Sequence, residues 1–211
     1  MSLKNIKAKK IAILGAGGHG KVVGEIAHLN NFKIIDFFDD NYKNIKNYPF
    51  SIKGNLNKFK KLYNQYDFWF ISVGNNLERK DIFIKFKKFR KNLTNLIHPK
   101  SIVSKLSKLE YGICIMANSV VNAGSKIKKG SIINTSASID HDCIICNFVH
   151  IAPNVTLCGN VLVDNETLIG AGSSVHPNTK IGKNVKIAIG SKVFKDLDDS
   201  LIYINNNGQI K

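Results

Sequence analysis

Residues 115 to 145 read IMANSVVNAGSKIKKGSIINTSASIDHDCII, and an aliphatic side chain recurs in this stretch at every sixth position. The spacing continues to Val193, and the fourteen aliphatic residues are Ile115, Val121, Ile127, Ile133, Ile139, Ile145, Ile151, Leu157, Val163, Ile169, Val175, Ile181, Ile187 and Val193. Four positions after each of the first thirteen stands a small or β-branched residue. Hexapeptide periodicity is typical of parallel β-helices, in which each repeat is one short strand and one turn.

We expect the left-handed form of this fold, in which three hexapeptides make one triangular coil and residues 18 apart lie directly above one another. Extending the phase back through Leu109 and Val103 gives sixteen positions and about five coils. We therefore predict an all-β left-handed parallel β-helix over residues 99–195, followed by a tail over 196–211. Cys143 and Cys146 have the C-x-x-C spacing of a zinc or redox site, but Cys143 falls on the small inward position, which favours a core cysteine.

The first half of the chain has a different pattern. Apolar runs at 11–14, 34–38 and 68–73 end in polar or glycine-rich loops, and helical spacing follows over 21–29 and in a lysine-rich stretch up to residue 91. A short fourth strand is predicted at 93–97. The order βαβαβαβ indicates a Rossmann-like α/β domain with a parallel sheet over residues 1–98, whose ligand crevice lies beyond the carboxyl ends of the strands.

The loop GAGGHG at residues 15–20 matches the G-x-G-x-x-G fingerprint of dinucleotide sites. The domain ends near residue 98, which leaves room for one mononucleotide-binding half and none for a nicotinamide half, so a full dinucleotide site is not expected. The glycines could also serve only a tight turn, and His19 could simply be solvated. The convergence of three polar strand ends at one rim of the sheet favours binding.

Composition and charge narrow the function classes. The net charge is +16, but the lysines are spread through the first hundred residues, so we expect no nucleic-acid partner. The first residues, MSLKNIKAKK, are not followed by an apolar signal segment, and no stretch approaches the ~18 apolar residues of a membrane span. Four cysteines in 211 residues fit a reducing compartment. We expect a cytoplasmic protein with no membrane partner.

The repeat places His141 one coil below Gly159, inside the sequence IDHDC. A histidine beside a carboxylate and under a bare backbone N–H suits acyl transfer to an amine, because the reaction needs a base and a donor for the oxyanion. An exposed histidine on a turn is the plain alternative. His141, His150 and His176 also leave open a zinc hydrase with ligands from neighbouring chains, although we predict no metal site.

Taken together, the motifs of both halves resemble the PglD/NeuD family of bacterial nucleotide-sugar and sialic-acid acetyltransferases. The match covers nearly the whole chain, and the motifs in order are GAGGHG (15–20), FFDD (37–40), GNN (74–76) followed by Arg79, NTSASIDHD (134–142), NFVHIAP (147–153) and CGNV (158–161). The resemblance implies a homotrimer with active sites between subunits, acetyl-CoA as co-substrate, and a nucleotide-linked 4-amino-4,6-dideoxy sugar, with UDP favoured, as acceptor.

The resemblance also implies the site residues. His141 is the general base and Asp142 orients it, with Asp140 as the other candidate; Asn134 completes the catalytic set. On the cofactor side the matching positions are His150, Gly159, Ala171 and Ile189. The nucleotide-sugar pocket matches Gly17, Gly18, His19, Asp39, Asp40, Gly74, Asn75 and Asn76.

Four alternatives stay open beside N-acetylation of a UDP-linked sugar. They are a GDP-linked acceptor, O-acetylation of a sialic-acid-like sugar, and, in other classes, the zinc hydrase or a nicotinamide-binding protein. The chain departs from the family at its end, SLIYINNNGQIK, where a proline-containing turn that helps to cover CoA is missing.

Overall fold

The computed structural model describes residues 9–203. Its N-terminal unit contains four strands and three α-helices: β1 Lys10–Leu14, α1 Gly18–Leu29, β2 Ile34–Phe38, β3 Ser51–Gly54, α2 Leu56–Leu62, β4 Phe68–Ile71 and α3 Asn76–Phe86. Short 3₁₀ turns occupy Tyr42–Asn44, Tyr63–Gln65 and Lys87–Asn92. Within residues 9–203 no helix has both the length and the apolar character that a membrane crossing requires.

The four strands form one parallel sheet in the order β3-β2-β1-β4. The predicted runs at 11–14, 34–38 and 68–73 are confirmed as β1, β2 and β4, and α1 begins three residues earlier than its apolar spacing predicts. The strand β3 was not predicted, because SIKG contains one large apolar residue and gives no run. The α/β class is correct, but the element order departs from βαβαβαβ.

The predicted fourth strand at 93–97 does not join this sheet. Leu93 makes one isolated bridge to Trp69, and the strand proper is Leu96–Ile97, which pairs with Cys114–Ile115. An apolar run shows that a segment is buried but not which sheet it enters. Leu96–Ile97 is thus the first rung of the second unit, two residues before the boundary predicted from the sequence.

The second unit is a three-faced parallel β-helix of two-residue strands. Face I contains the strands 96–97, 114–115, 132–133, 150–151, 168–169, 186–187 and 202–203. Face II contains 102–103, 120–121, 138–139, 156–157, 174–175 and 192–193, and face III contains 108–109, 126–127, 144–145, 162–163 and 180–181. Paired residues are 18 apart in all but the last rung, which confirms the predicted coil.

The core of the β-helix is the aliphatic column predicted from the repeat. All fourteen aliphatic residues are at most 3% exposed, and the small residues between them, Cys143 included, are buried as well. Cys143 is therefore a core residue, as predicted. The tail adds one more rung, since Ile202–Tyr203 pairs with Lys186–Ile187. The expectation about the missing proline-containing turn concerns residues after 203, which lie outside the described part of the chain.

Every sixth residue from 112 to 190 has a positive φ, which is the turn conformation of this coil. Ten of these fourteen positions hold glycine or asparagine, the residues that adopt it most readily. The other four are Ser136, Asp142, Phe148 and Glu166. Asp142 lies beside His141, while Phe148 and Glu166 lie where α3 packs against the β-helix, so three of the four less favourable residues coincide with a predicted site or a domain contact.

The N-terminal unit packs on face I. Outward-facing Cys114 and Ile132 of that face lie in one apolar cluster with residues of β1 and α1. On the other side of the sheet, Phe148 packs against Phe83 of α3, with ring centroids 5.4 Å apart. Face I and its two corners therefore meet the N-terminal loops, whereas the corner between faces II and III lies on the opposite side of the prism.

Candidate active site

His141 lies in the turn between faces II and III, and a carboxylate orients its ring. Its Nδ1 is 2.9 Å from Oδ2 of Asp142, so the carboxylate holds the proton on Nδ1 and leaves a lone pair on Nε2. The ring lies directly against Gly159 of the next coil, where an added Cβ would come within 2.5 Å of Nε2. The predicted stacking of His141 under Gly159 is therefore what the structure contains.

The surroundings of His141 favour a basic imidazole that stays accessible. The side chain is 61% exposed, and the hydrogen bond to Asp142, followed by the charge of Asp140, raises the pKa of His141. Asp140 itself accepts hydrogen bonds from the His141 N–H and from Asn122, which lower the pKa of that carboxyl. Asp142 thus contacts the ring, and Asp140 holds the backbone beneath it.

The backbone N–H of Gly159 has no acceptor among residues 9–203, although the next N–H along the chain, that of Asn160, donates to the carbonyl of His141. An unpaired donor beside the lone pair of an oriented imidazole is the pairing of groups that acyl transfer uses. The corner between faces II and III thus holds an oriented imidazole and an unpaired backbone N–H on adjacent coils.

Asn134 and His150 lie elsewhere, next to the N-terminal unit. Asn134 follows face I at the corner with face II, and its Nδ2 is 3.0 Å from Nε2 of His150. The other nitrogen of His150 is 3.3 Å from the carbonyl of Gly74, in the loop after β4. Burial, together with the charge of Arg79, lowers the pKa of His150 to about 4, so its ring is neutral at pH 7.

His19 points toward the same place from the first turn of α1. Burial, with contributions from His150 and Arg79, lowers its pKa to about 3. In the described part of the chain its Nε2 is the one buried side-chain nitrogen or oxygen without a hydrogen-bond partner. A buried polar atom left unpaired costs about 1–3 kcal/mol, so a ligand group that hydrogen-bonds to it would recover that energy.

The glycines of the loop after β1 divide into two kinds. A Cβ at Gly20 would meet Tyr48 Oη at 2.5 Å and the Gly15 carbonyl at 2.7 Å, so Gly20 serves packing. A Cβ at Gly17 or Gly18 would meet nothing within 4 Å, although these two residues begin α1. The open space above Gly17 and Gly18 is room for a ligand at the positive end of the helix.

This difference gives a stability prediction. Gly20→Ala is expected to lower the free energy of unfolding by about 1–3 kcal/mol, because the new methyl overpacks against Tyr48 and the turn. Gly17→Ala, at φ −84° and with no neighbour, should stay within about 0.5 kcal/mol of wild type. Urea unfolding of the two variants checks this, and equal losses would contradict the division of roles.

The other loop residues organise the rim of the sheet. The carboxylate of Asp39 accepts from the N–H groups of Ala16 and Asn41, both at 2.8 Å, and Asp40 accepts from Leu56 N at 2.9 Å. Between these strand ends lies a cavity of about 200 Å³, lined among others by the Asp39–Asp40 pair. These loops therefore converge as predicted. The carboxylates of Asp39 and Asp40 hold the loops in place by accepting backbone hydrogen bonds.

The two asparagines after Gly74 have structural partners. Asn75 caps α3 by accepting from Leu77 N and Glu78 N, each at 3.1 Å. Asn76 is buried and donates from Nδ2 to the carbonyls of Glu166 and Thr167 in the β-helix. The contacts of Asn76 could not be predicted from the sequence, because contacts between residues about 90 positions apart leave no local pattern.

The candidate residues form two groups on different corners of the prism. His141, Asp142 and Gly159 share the corner between faces II and III. Asn134, Ala171 and Ile189 share the corner between faces I and II, where Asn134 contacts His150 of face I. Face II separates the two groups within one chain. A ligand that contacts both groups must span face II of one chain or lie between two copies.

The three histidines of the zinc alternative do not converge within one chain. His141 and His176 lie on the corner between faces II and III, two coils apart, and His150 lies on face I. Across residues 9–203 no group of three or more histidine, cysteine or acidic side chains has the proximity that a metal ion requires. The four cysteines are free thiols, and burial raises the pKa of Cys143 to about 11.

Comparison with known proteins gives consistent matches. Residues 10–86 match the family model described as the PglD N-terminal domain. Along 113 residues the chain is 33% identical to UDP-N-acetylbacillosamine N-acetyltransferase of Bacillus subtilis (strain 168), and this match covers 52% of each protein, about half of the curated relative.

Two solved structures match over nearly their whole length. The acetyltransferase domain of PglB from Neisseria gonorrhoeae, in complex with acetyl coenzyme A, is 35% identical, with 97% of this chain and 98% of that chain covered and a TM-score of 0.89. PerB from Caulobacter crescentus, in complex with CoA and GDP-perosamine, is 31% identical, with 96% and 97% covered and a TM-score of 0.88.

Proposed function

The chain belongs to the PglD/NeuD family of bacterial sugar acetyltransferases, which use acetyl-CoA, and from that premise we propose that it N-acetylates a nucleotide-linked amino sugar. The acceptor is the amine of a 4-amino-4,6-dideoxy sugar carried on UDP, and the general base is His141. The observation that carries the proposal is the oriented, accessible imidazole of His141 beside the unpaired N–H of Gly159.

The proposed reaction assigns one task to each group. As the sugar amine attacks the thioester carbonyl, Nε2 of His141 accepts the proton of the amine while the new C–N bond forms. The N–H of Gly159 donates to the oxyanion that develops on the carbonyl oxygen. When the C–S bond breaks, the imidazolium returns its proton to the leaving thiolate, and Asp142 stabilises the transient charge on the ring.

The proposed assembly is a homotrimer in which each site lies between two copies. One copy supplies His141, Asp142 and Gly159, and its neighbour supplies Asn134, His150, Ala171, Ile189 and the N-terminal loops. The supporting observation is that face II separates these groups within one chain. The pantetheine arm lies between the two corners, and the nucleotide lies in the N-terminal unit at the open loop of Gly17 and Gly18. We place the reaction in the cytoplasm.

The direct test is release of free CoA from acetyl-CoA in the presence of UDP-4-amino-4,6-dideoxy sugars, followed with a thiol reagent and with the mass of the acetylated product. The GDP-linked amine is the comparison substrate, because PerB was solved with GDP-perosamine. Thiol release that needs both substrates supports the proposal. No release with either nucleotide from folded protein that binds CoA overturns it, and release with GDP alone replaces the nucleotide.

The charge state of His141 predicts a pH dependence. The reaction needs the neutral imidazole, and the pKa of His141 is raised above its usual 6.5, so kcat/KM should fall as the pH drops through that higher value. Asp142→Asn removes the first cause of the rise, and the acidic limb should then move to lower pH. A pH profile of both enzymes checks the direction, and a limb that moves upward or stays in place would contradict it.

A further inference from the structure

Arg79 is the most unusual side chain at the contact between the two units. It lies on α3, is 1% exposed, and donates only to oxygens of the backbone and of one amide. Its acceptors are Gly130 O at 2.6 Å, Val73 O at 2.9 Å, Gly74 O at 3.0 Å, Asn76 Oδ1 at 2.7 Å, Phe148 O at 3.0 Å and Val149 O at 3.4 Å. One guanidinium therefore joins the loop after β4 to two turns of the β-helix.

No carboxylate lies within ion-pair distance of Arg79 in residues 9–203. Burial lowers the pKa of its guanidinium to about 9, which still leaves the group charged at neutral pH. Burying an unpaired cation is costly, and an apolar side chain of similar size would fill the space at lower cost. The hydrogen-bond donors of the Arg79 guanidinium must therefore have a role beyond filling space.

The Gly74 carbonyl links Arg79 to His150, a residue that the family resemblance assigns to the cofactor side but that contacts the loop after β4, where we propose that the nucleotide sugar binds. Oδ1 of Asn134 accepts the N–H of Thr135 at 2.8 Å, which turns Nδ2 of Asn134 toward His150. Nε2 of His150 faces a donor and is therefore the unprotonated nitrogen, so the proton of the neutral ring lies on Nδ1. That proton points to the carbonyl of Gly74, which also accepts from Arg79.

Only one assignment satisfies every member of this chain of hydrogen bonds. With the proton on Nε2 of His150, two donors would face each other at Asn134, and the Gly74 carbonyl would face a lone pair. The network is held at both ends: the Thr135 N–H orients the Asn134 amide, and the guanidinium of Arg79, anchored on Gly130 and Phe148 of the β-helix, holds the Gly74 carbonyl at Nδ1 of His150.

We infer that Arg79 is a positioning residue: by holding the carbonyl of Gly74, it supplies the acceptor for the Nδ1–H of His150 and so stabilises this tautomer and the position of the ring beside Asn134. This inference rests on the proposed function for its kinetic consequence. Arg79 is buried and its nitrogens all donate to protein oxygens, so it is not placed to contact a substrate. It acts through His150 and Asn134, which lie next to the N-terminal unit. We therefore expect the loss of its hydrogen bonds to weaken binding of the nucleotide sugar more than binding of acetyl-CoA.

The kinetic test compares Arg79→Lys with Lys80→Met. A lysine keeps the charge but cannot reach six acceptors, and we expect the KM for the nucleotide sugar to rise about 10-fold or more while the KM for acetyl-CoA stays within about 2-fold. Lys80 is the matched control, because it ties the same helix to the β-helix through Glu166 without contacting Gly74 or His150. Equal effects of the two variants would reduce Arg79 to a structural role.

A measurement on the unaltered protein keeps the inference testable if Arg79→Lys does not fold. Nitrogen-15 NMR of the histidine rings, assigned with His150→Gln, should show His150 neutral at pH 7 with its proton on Nδ1. A proton on Nε2 would overturn the inference whether or not the enzyme turns over. Where Arg79→Lys does fold, its His150 should become a mixture of tautomers, and unchanged signals would contradict the role of Arg79.

Discussion

Replacing His141 by alanine is expected to lower kcat by at least about 100-fold, the usual range for losing a positioned general base. Nε2 of His141 is the accessible lone pair beside the unpaired N–H of Gly159, and among residues 9–203 no other histidine has an oriented, exposed ring at that position. The amine would then have to lose its proton to water as it attacks. The measurement is the steady-state rate of thiol release with both substrates saturating.

The same variant should leave the fold intact, which separates a chemical loss from a structural one. The side chain of His141 is 61% exposed, so its removal opens no cavity, and the free energy of unfolding should change by less than about 0.5 kcal/mol. His28→Ala, an exposed histidine on α1 outside both groups of site residues, is the control. A His141→Ala enzyme with undiminished turnover would remove His141 from the mechanism.

The β-helix could be predicted from the sequence almost to the residue, and the physical reason is its repetition. Each coil buries one aliphatic side chain per face, so one signal is repeated fourteen times and local ambiguity averages out. Stacking at 18 residues then places His141 under Gly159 without further information. The positive-φ positions repeat with the same period, and Gly124, Gly130 and Asn118 could have shown them.

The N-terminal unit lacked such redundancy, and its errors follow from that. Leu96–Ile97 was assigned to the parallel sheet because a two-residue strand gives no sign of its partner, which is Cys114–Ile115. The motif that contains Arg79 gives no sign of its role, since three of its six acceptors lie 51 to 70 residues away in the β-helix. The surroundings of Asn134 and His150 depend on contacts between residues far apart in the sequence, which no local pattern shows.

The proposed division of the site between two copies predicts a second large effect, which is tested by mixing inactive enzymes. His141→Ala removes the base from one group of residues, and Gly17→Trp fills the open space of the other at a position where a side chain meets nothing within 4 Å. Each variant alone should retain about 1% of activity or less. Co-expression of the two chains at equal levels should restore about a quarter of the wild-type rate, because a ring of copies joins an intact base to an intact loop with probability one half times one half.

The restored fraction is specific to a site built from two chains. Were both groups to serve one chain, every copy in the mixture would carry one defect, and the rate would be no more than the average of the two parents. Co-expressing His141→Ala with His141→Gln is the matched control, since both defects lie in the same group and no pairing repairs them. Restoration in the first mixture and none in the control requires that the base on one copy act on a sugar held by its neighbour, which is the arrangement that we propose from the separation of the two groups by face II.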